Sequence, residues 1–252
     1  MGRWLFSLAL FGWLAFVAPA WAQANAFSDW AAVIVAGDWR AHDGSPSEVF
    51  DNARRDLSQS LVAAGFSPDH IRQFSVREAK ATAPLKTDPD IIAGQLNALA
   101  QQTRGGCLVY FTSHGTPDGI VLGDNVWPPG VMARMVDDTC GKRPTVVVVS
   151  ACFSGVFLPA LAGPERMVLT AARPDRTSFG CGAEDRYTFF DACVLDELKQ
   201  AHDFAALGVA VQGCVARREE QKQSISLPSE PQLDIGVALR PTLPLYAFNR
   251  PR

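Results

Sequence analysis

Two short segments carry the residues best suited to chemistry. His114 lies in Leu108-Val-Tyr-Phe-Thr-Ser-His114-Gly115, and Cys152 in Val146-Val-Val-Val-Ser-Ala-Cys152-Phe-Ser-Gly155. A free cysteine titrates near ~8.5, so at neutral pH only a small fraction is the nucleophilic thiolate. An imidazole beside it supplies the base that takes the proton during attack. Gly115, with no side chain to shield its amide, can donate a hydrogen bond to a developing oxyanion, and the Cys152 amide is the natural second donor. Each such donor contributes about 2.7–4 kcal/mol to transition-state stabilisation in known cases. The chemistry these residues point to is cysteine-dependent hydrolysis of an acyl bond.

Both residues follow apolar runs that read as buried strands, so each is delivered to a strand's C-terminal edge, where open parallel sheets bind ligands. Strands are predicted at 31–36, 71–76, 107–112, 146–150, 167–171 and, as a short last one, 233–236. Helical patterns fill the spaces at 48–64, 90–103, 128–138, 187–201 and 203–220. In the first of these, Val49, Ala53, Leu57, Leu61 and Ala64 recur at helical spacing and Gly65 ends the run. Residues 80–89 read as a Pro- and Thr-rich loop ending in a helix start, Thr87-Asp88 before Pro89. This alternation predicts an α/β domain with a mainly parallel six-stranded sheet covered by helices on both faces. Val146-Val-Val-Val149 shows no polar alternation, as a strand buried on both sides requires. No repeat or linker divides 23–252, which is expected to be one domain.

At 252 residues, 48% hydrophobic and 19% charged, the chain has enough material for a sizeable core. Residues 1–22 have an early cation, Arg3, an apolar stretch, and small residues bracketing a cut after Ala22. That is the layout of a secretory signal; the apolar stretch is shorter than the ~20 residues a membrane span needs. An exported protein, periplasmic or secreted, with no stable membrane insertion after cleavage is the expectation. The net charge of −3, without a basic stripe, gives nucleic acid no electrostatic purchase.

Six cysteines in an exported chain suggest disulfides. If Cys152 stays a thiol, two bridges and one further unpaired cysteine are the simplest count. Cys107 opens one predicted strand and Cys140 shortly precedes its neighbour, so a Cys107–Cys140 bridge is geometrically reasonable. Cys181, Cys193 and Cys214 cannot be paired from sequence, and they lack the close pairs a zinc site uses. No metal or other cofactor is implied.

The segments Tyr110-Phe-Thr-Ser-His114-Gly115 and Ser150-Ala-Cys152-Phe-Ser-Gly155 resemble the two catalytic motifs of legumain-type cysteine peptidases, a family of the caspase-like clan. Ala32-Val-Ile-Val-Ala-Gly37, Leu169-Thr-Ala-Ala172 and Thr177-Ser-Phe-Gly-Cys181 resemble the family's first strand and the strand and loop after the cysteine. The resemblance implies a three-layer caspase-like fold, a peptide or protein substrate, His114 as base and Cys152 as nucleophile. It also implies a pocket for the residue before the scissile bond, lined by Asp191, Ser178 and Ser150. Where asparagine-specific members have a glutamate two residues before the nucleophile, this chain has Ser150, so a small polar or a basic residue competes with asparagine. The family's histidine-orienting group follows the first strand, where Asp43 is the nearest candidate; an Asx turn with Gly44 is its other reading. Animal and plant legumains carry a C-terminal inhibitory domain. This chain ends soon after the last strand, so control by such a domain is not expected.

Two other functions fit parts of the pattern. An α/β-hydrolase with a cysteine nucleophile would suit the small residues flanking Cys152, but needs a histidine after it, and only His202 qualifies. A non-catalytic binding domain could retain the fold, although it would have little use for both reactive residues.

Overall fold

The computed structural model describes residues 25–77 and 85–249. The expected signal segment, 1–22, and residues 80–84 of the expected loop lie outside that range.

The elements follow in order as β1 (Ala31–Ala36), α1 (Val49–Ala64), β2 (Ile71–Ser75), β3 (Leu85–Lys86), α2 (Pro89–Gln102) and β4 (Cys107–Thr112). Then come β5 (Gly115–Thr116), β6 (Gly119–Leu122), β7 (Asn125–Trp127), α3 (Pro129–Cys140), β8 (Thr145–Ser150), α4 (Leu158–Leu161) and β9 (Arg166–Thr170). The chain closes with α5 (Phe189–Leu198), α6 (Phe204–Glu220) and β10 (Gln232–Ile235).

The main sheet runs β10-β9-β8-β4-β1-β2-β3, parallel except for β10, which pairs antiparallel with β9. It has seven strands where six were expected. The extra one, β3, is two residues long and pairs Leu85 with Phe74 at the sheet margin, too short to leave a periodic signal. The chain builds outward from β1 to β2 and β3, then returns to place β4, β8 and β9 on the other side. The reversal of direction at β1/β4 opens a crevice at the carboxyl ends of those strands.

Alternation along each central strand fills two cores. Ala32, Ile34, Leu108, Tyr110, Val146 and Val148 face one side, under Leu57 and Leu61 of α1, Val194 and Leu198 of α5 and Leu207 of α6. Val33, Val35, Val109, Phe111, Val147 and Val149 face the other, under Leu96 and Leu99 of α2 and Met132 and Val136 of α3. Period-two side chains on strands buried on both faces explain why the runs lack polar residues. Helix starts are fixed by Asp88, Thr188 and Asp203, whose side chains accept from main-chain amides of α2, α5 and α6. Gly65 stops α1 in the left-handed conformation, at φ 118°. Cys107–Cys140 ties the start of β4 to the end of α3, as expected, and Cys193–Cys214 joins α5 to α6; Cys152 and Cys181 are free. No helix among the described residues is long and apolar enough to cross a membrane.

Candidate active site

β4 and β8 are neighbours in register, Thr112 opposite Ser150, so the loops leaving them start side by side at the crevice. The Ser113 amide donates to the Ser150 carbonyl at 3.0 Å, extending the pairing one residue past β4. Gly115 then passes so close to the other loop that a Cβ there would lie 2.1 Å from the Cys152 carbonyl oxygen. Only glycine allows this approach, and it brings the two loops carrying His114 and Cys152 together. Both residues are half-buried. After Cys152 the chain turns sharply: Phe153 takes φ 56°, left-handed for a side-chain-bearing residue, and its amide donates to the Arg176 carbonyl at 2.7 Å. Strained turns of this kind concentrate at functional sites.

The imidazole is oriented from behind. His114 Nε2 lies 2.9 Å from the main-chain carbonyl of Arg40, and the ring stands edge-on to Phe50 at 5.1 Å. A carbonyl only accepts, so Nε2 carries the proton and the neutral ring keeps its lone pair on Nδ1. Arg40 is itself clamped. Asp38, 4% exposed, accepts from the Arg40 amide at 3.1 Å and from its Nε at 2.9 Å, while Arg40 Nη2 donates to the Gly123 carbonyl at 2.9 Å. Asp43 does not have the orienting role considered for it. Its exposed carboxylate makes no hydrogen bond to His114 and instead accepts through Oδ1 from the amide and hydroxyl of Ser45, an Asx turn.

Two amides expected to serve an oxyanion are left without a main-chain acceptor among the described residues. Gly115 opposes Ile120 in the ribbon β5-β6-β7, and Val121 N–H donates to the His114 carbonyl. In an antiparallel pair that bond makes Gly115–Ile120 the non-bonded kind, so the Gly115 N–H points out of the ribbon. The Cys152 amide donates to no carbonyl among the described residues.

Ser178, expected to line the pocket, lies against Cys152: its amide donates to Sγ at 3.3 Å, and its hydroxyl lies 3.7 Å away. Ser150 and Asp191 depart from expectation. They are 1% and 0% exposed, so neither presents a surface to the crevice. Asp191 Oδ1 accepts from the Tyr110 hydroxyl at 2.7 Å and Oδ2 from Thr112 at 2.6 Å. Burial raises the Asp191 carboxyl above its usual range, and the surrounding hydroxyls pull it partly back. The reason for the departure is α5, whose first turn drops Asp191 onto the sheet under Tyr110 and Thr112.

Residue types in sequence did not reveal the Asp38–Arg40 unit, nor that Cys181 is the further unpaired cysteine. The Cys181 side chain packs with Ala36, Val49 and Phe50. Burial, helped by the nearby Cys152 and Asp185, pushes its thiol up to about 11. His202, by contrast, is remote. It pairs with Asp203 at 3.3 Å, and its carbonyl accepts from Phe248, which stacks on Phe27 ahead of β1. That is the amino edge of the sheet, opposite Cys152, so the α/β-hydrolase arrangement is excluded.

A half-open parallel sheet between helical layers, with reactive loops after its central strands, defines a caspase-like fold. Solved structures agree. Caspase-1 from Spodoptera frugiperda matches with a TM-score of 0.60 at 16% identity, over 84% of this chain and 88% of that one. Pro-sf-caspase-1 matches with a TM-score of 0.59 at 15% identity, over 84% and 93%. A comparison with curated proteins finds no match. The Peptidase C13 family profile matches residues 28–211, and the chain belongs to that family, the legumain family of cysteine peptidases.

Proposed function

We propose that the protein is a cysteine endopeptidase whose nucleophile is Cys152 and whose base is His114. The close approach of Gly115 to Cys152 carries this reading, because it puts the imidazole loop against the thiol loop with Nδ1 left free to accept. His114 Nδ1 takes the thiol proton as Sγ bonds to the peptide carbonyl carbon. The oxyanion meets the Gly115 and Cys152 amides. The C–N bond breaks as the proton passes to the leaving amine, leaving a thioester. Water, deprotonated by His114, then releases the acid and restores the thiol. An amine in place of water would give a transpeptidation.

For the residue before the scissile bond, Ser178 beside Sγ supports a small polar or asparagine-like side chain. A basic preference loses its support, since both Asp191 oxygens are already engaged. Two disulfides suit an oxidising compartment, in keeping with export directed by residues 1–22.

Profiling a peptide library with purified protein tests the proposal. Cleavage by the wild type, lost in both Cys152→Ala and His114→Ala, is expected. Cleavage that survives Cys152→Ala contradicts it, and a wild type that binds peptides without turnover supports the binding-domain reading instead.

A further inference from the structure

The buried network around Asp191 has a role that follows from where its partners sit. Thr112 is two residues before His114 and Ser150 two residues before Cys152. These are the last residues of β4 and β8, paired opposite each other. Asp191, in the first turn of α5, accepts from Thr112 Oγ1 at 2.6 Å and from Tyr110, two residues further back on the same strand face. Ser150 Oγ lies 3.4 Å from the hydroxyl of Thr188, which caps α5 by accepting from the Asp191 amide at 3.0 Å, so the β8 end is tied to the same helix start. One helix start therefore grips both strand ends from beneath. All of these groups except the hydroxyl-bearing Tyr110 belong to loop-proximal positions, and each is nearly or fully buried.

We propose that Asp191 is a positioning residue: directly through Thr112, and through the Thr188 cap to Ser150, it fixes the spacing of the β4 and β8 ends, and with it the separation of the His114 ring and the Cys152 sulfur. The proposal rests on the Cys152–His114 reading above. It differs from a pocket role in what it predicts. A carboxylate that held the substrate side chain would set which residue is preferred. A clamp beneath the strands sets how fast every substrate reacts, because a displacement of about 1 Å between reacting groups costs on the order of a hundredfold in rate.

The test compares Asp191→Asn and Thr112→Val with the wild type on peptides differing only in the residue before the scissile bond. Thr112→Val removes one hydroxyl with little change of shape, and so approaches the clamp from the strand side if Asp191→Asn fails to fold. Circular dichroism melting checks that each variant is folded. Alkylation of Cys152 by iodoacetamide, read by peptide mass, reports the dyad independently of the pocket. The expected result is a fall in kcat of about ten- to a hundredfold, uniform across the peptides, with KM within about twofold and slower alkylation of Cys152. Thr112→Ser, which restores the hydroxyl, recovers most of the rate. A reordered preference, a raised KM with kcat intact, or wild-type kinetics in both variants overturns the clamp. Activity that persists in Cys152→Ala, run alongside, instead overturns the dyad on which it rests.

Discussion

The two edges of the central sheet are built from the same strands and differ in almost every other respect. At the amino edge, Phe27, Trp30, Phe66, Phe204, Tyr246 and Phe248 form one aromatic cluster. Phe27 stacks on Phe66 at 4.8 Å and meets Trp30 edge-on at 5.1 Å. The Cys107–Cys140 bridge fastens the same edge. At the carboxyl edge there are glycines, hydroxyls and a left-handed Phe153, with the imidazole held by a main-chain carbonyl. Apolar burial is worth about 1.5–3 kcal/mol per large side chain and has no directional demand, so it is well spent where nothing must be aimed. Aiming a ring and a sulfur needs close backbone approach and directed hydrogen bonds, which bury little apolar surface. Apolar packing concentrates at one end of the strands and the proposed dyad at the other.

The strongest way to break this contrast is at Gly115. Gly115→Ala sets a Cβ against the Cys152 carbonyl and forces the two loops apart. Peptidase activity is expected to fall by at least about a hundredfold, with the melting temperature nearly unchanged; kcat on a fluorogenic peptide checks it. Phe27→Ala strikes the other edge. It is expected to cost about 3–5 kcal/mol in urea unfolding while leaving kcat of the folded protein near the wild-type value. If Phe27→Ala lowered kcat as much as Gly115→Ala, the edges would not be separable.

Asp38→Ala sharpens the picture within the reactive edge. It removes the carboxylate that holds Arg40, whose carbonyl orients His114. A fall in kcat of about tenfold with KM little changed is expected from steady-state kinetics. Asp43→Ala, three residues from Arg40, is expected to change kcat by less than about twofold, since that carboxylate serves only a surface turn. A smaller contrast concerns the two free thiols. Its raised value of about 11 keeps Cys181 protonated at pH 8, so iodoacetamide is expected to label Cys152 well before it, as peptide mass mapping would show.

What sequence could express, it expressed through side-chain periodicity. The strands that carry His114 and Cys152 are long, apolar runs, and their observed limits differ from the predicted ones by at most one residue. The ribbon β5-β6-β7 was not anticipated. Its strands are two to four residues long, and its turns depend on Gly119 and Gly123 at positive φ, which composition alone does not locate. The orienting group was sought among acidic side chains, yet it is the carbonyl of Arg40, which every residue possesses and no residue type advertises. Asp191 was assigned to the pocket by resemblance, but whether it faces the crevice or the sheet depends on how α5 docks, a tertiary fact. The Cys193–Cys214 bridge depends on the same packing of α5 against α6.

Intact-mass analysis of the protein treated with a peptidyl electrophile, followed by mapping of the adduct, bears most directly on the pairing of thiol and imidazole. One adduct per chain, on Cys152, formed quickly by the wild type and far more slowly by His114→Ala, is the predicted result. Modification that falls elsewhere, or that proceeds on Cys152 at the same rate without the imidazole, contradicts the account.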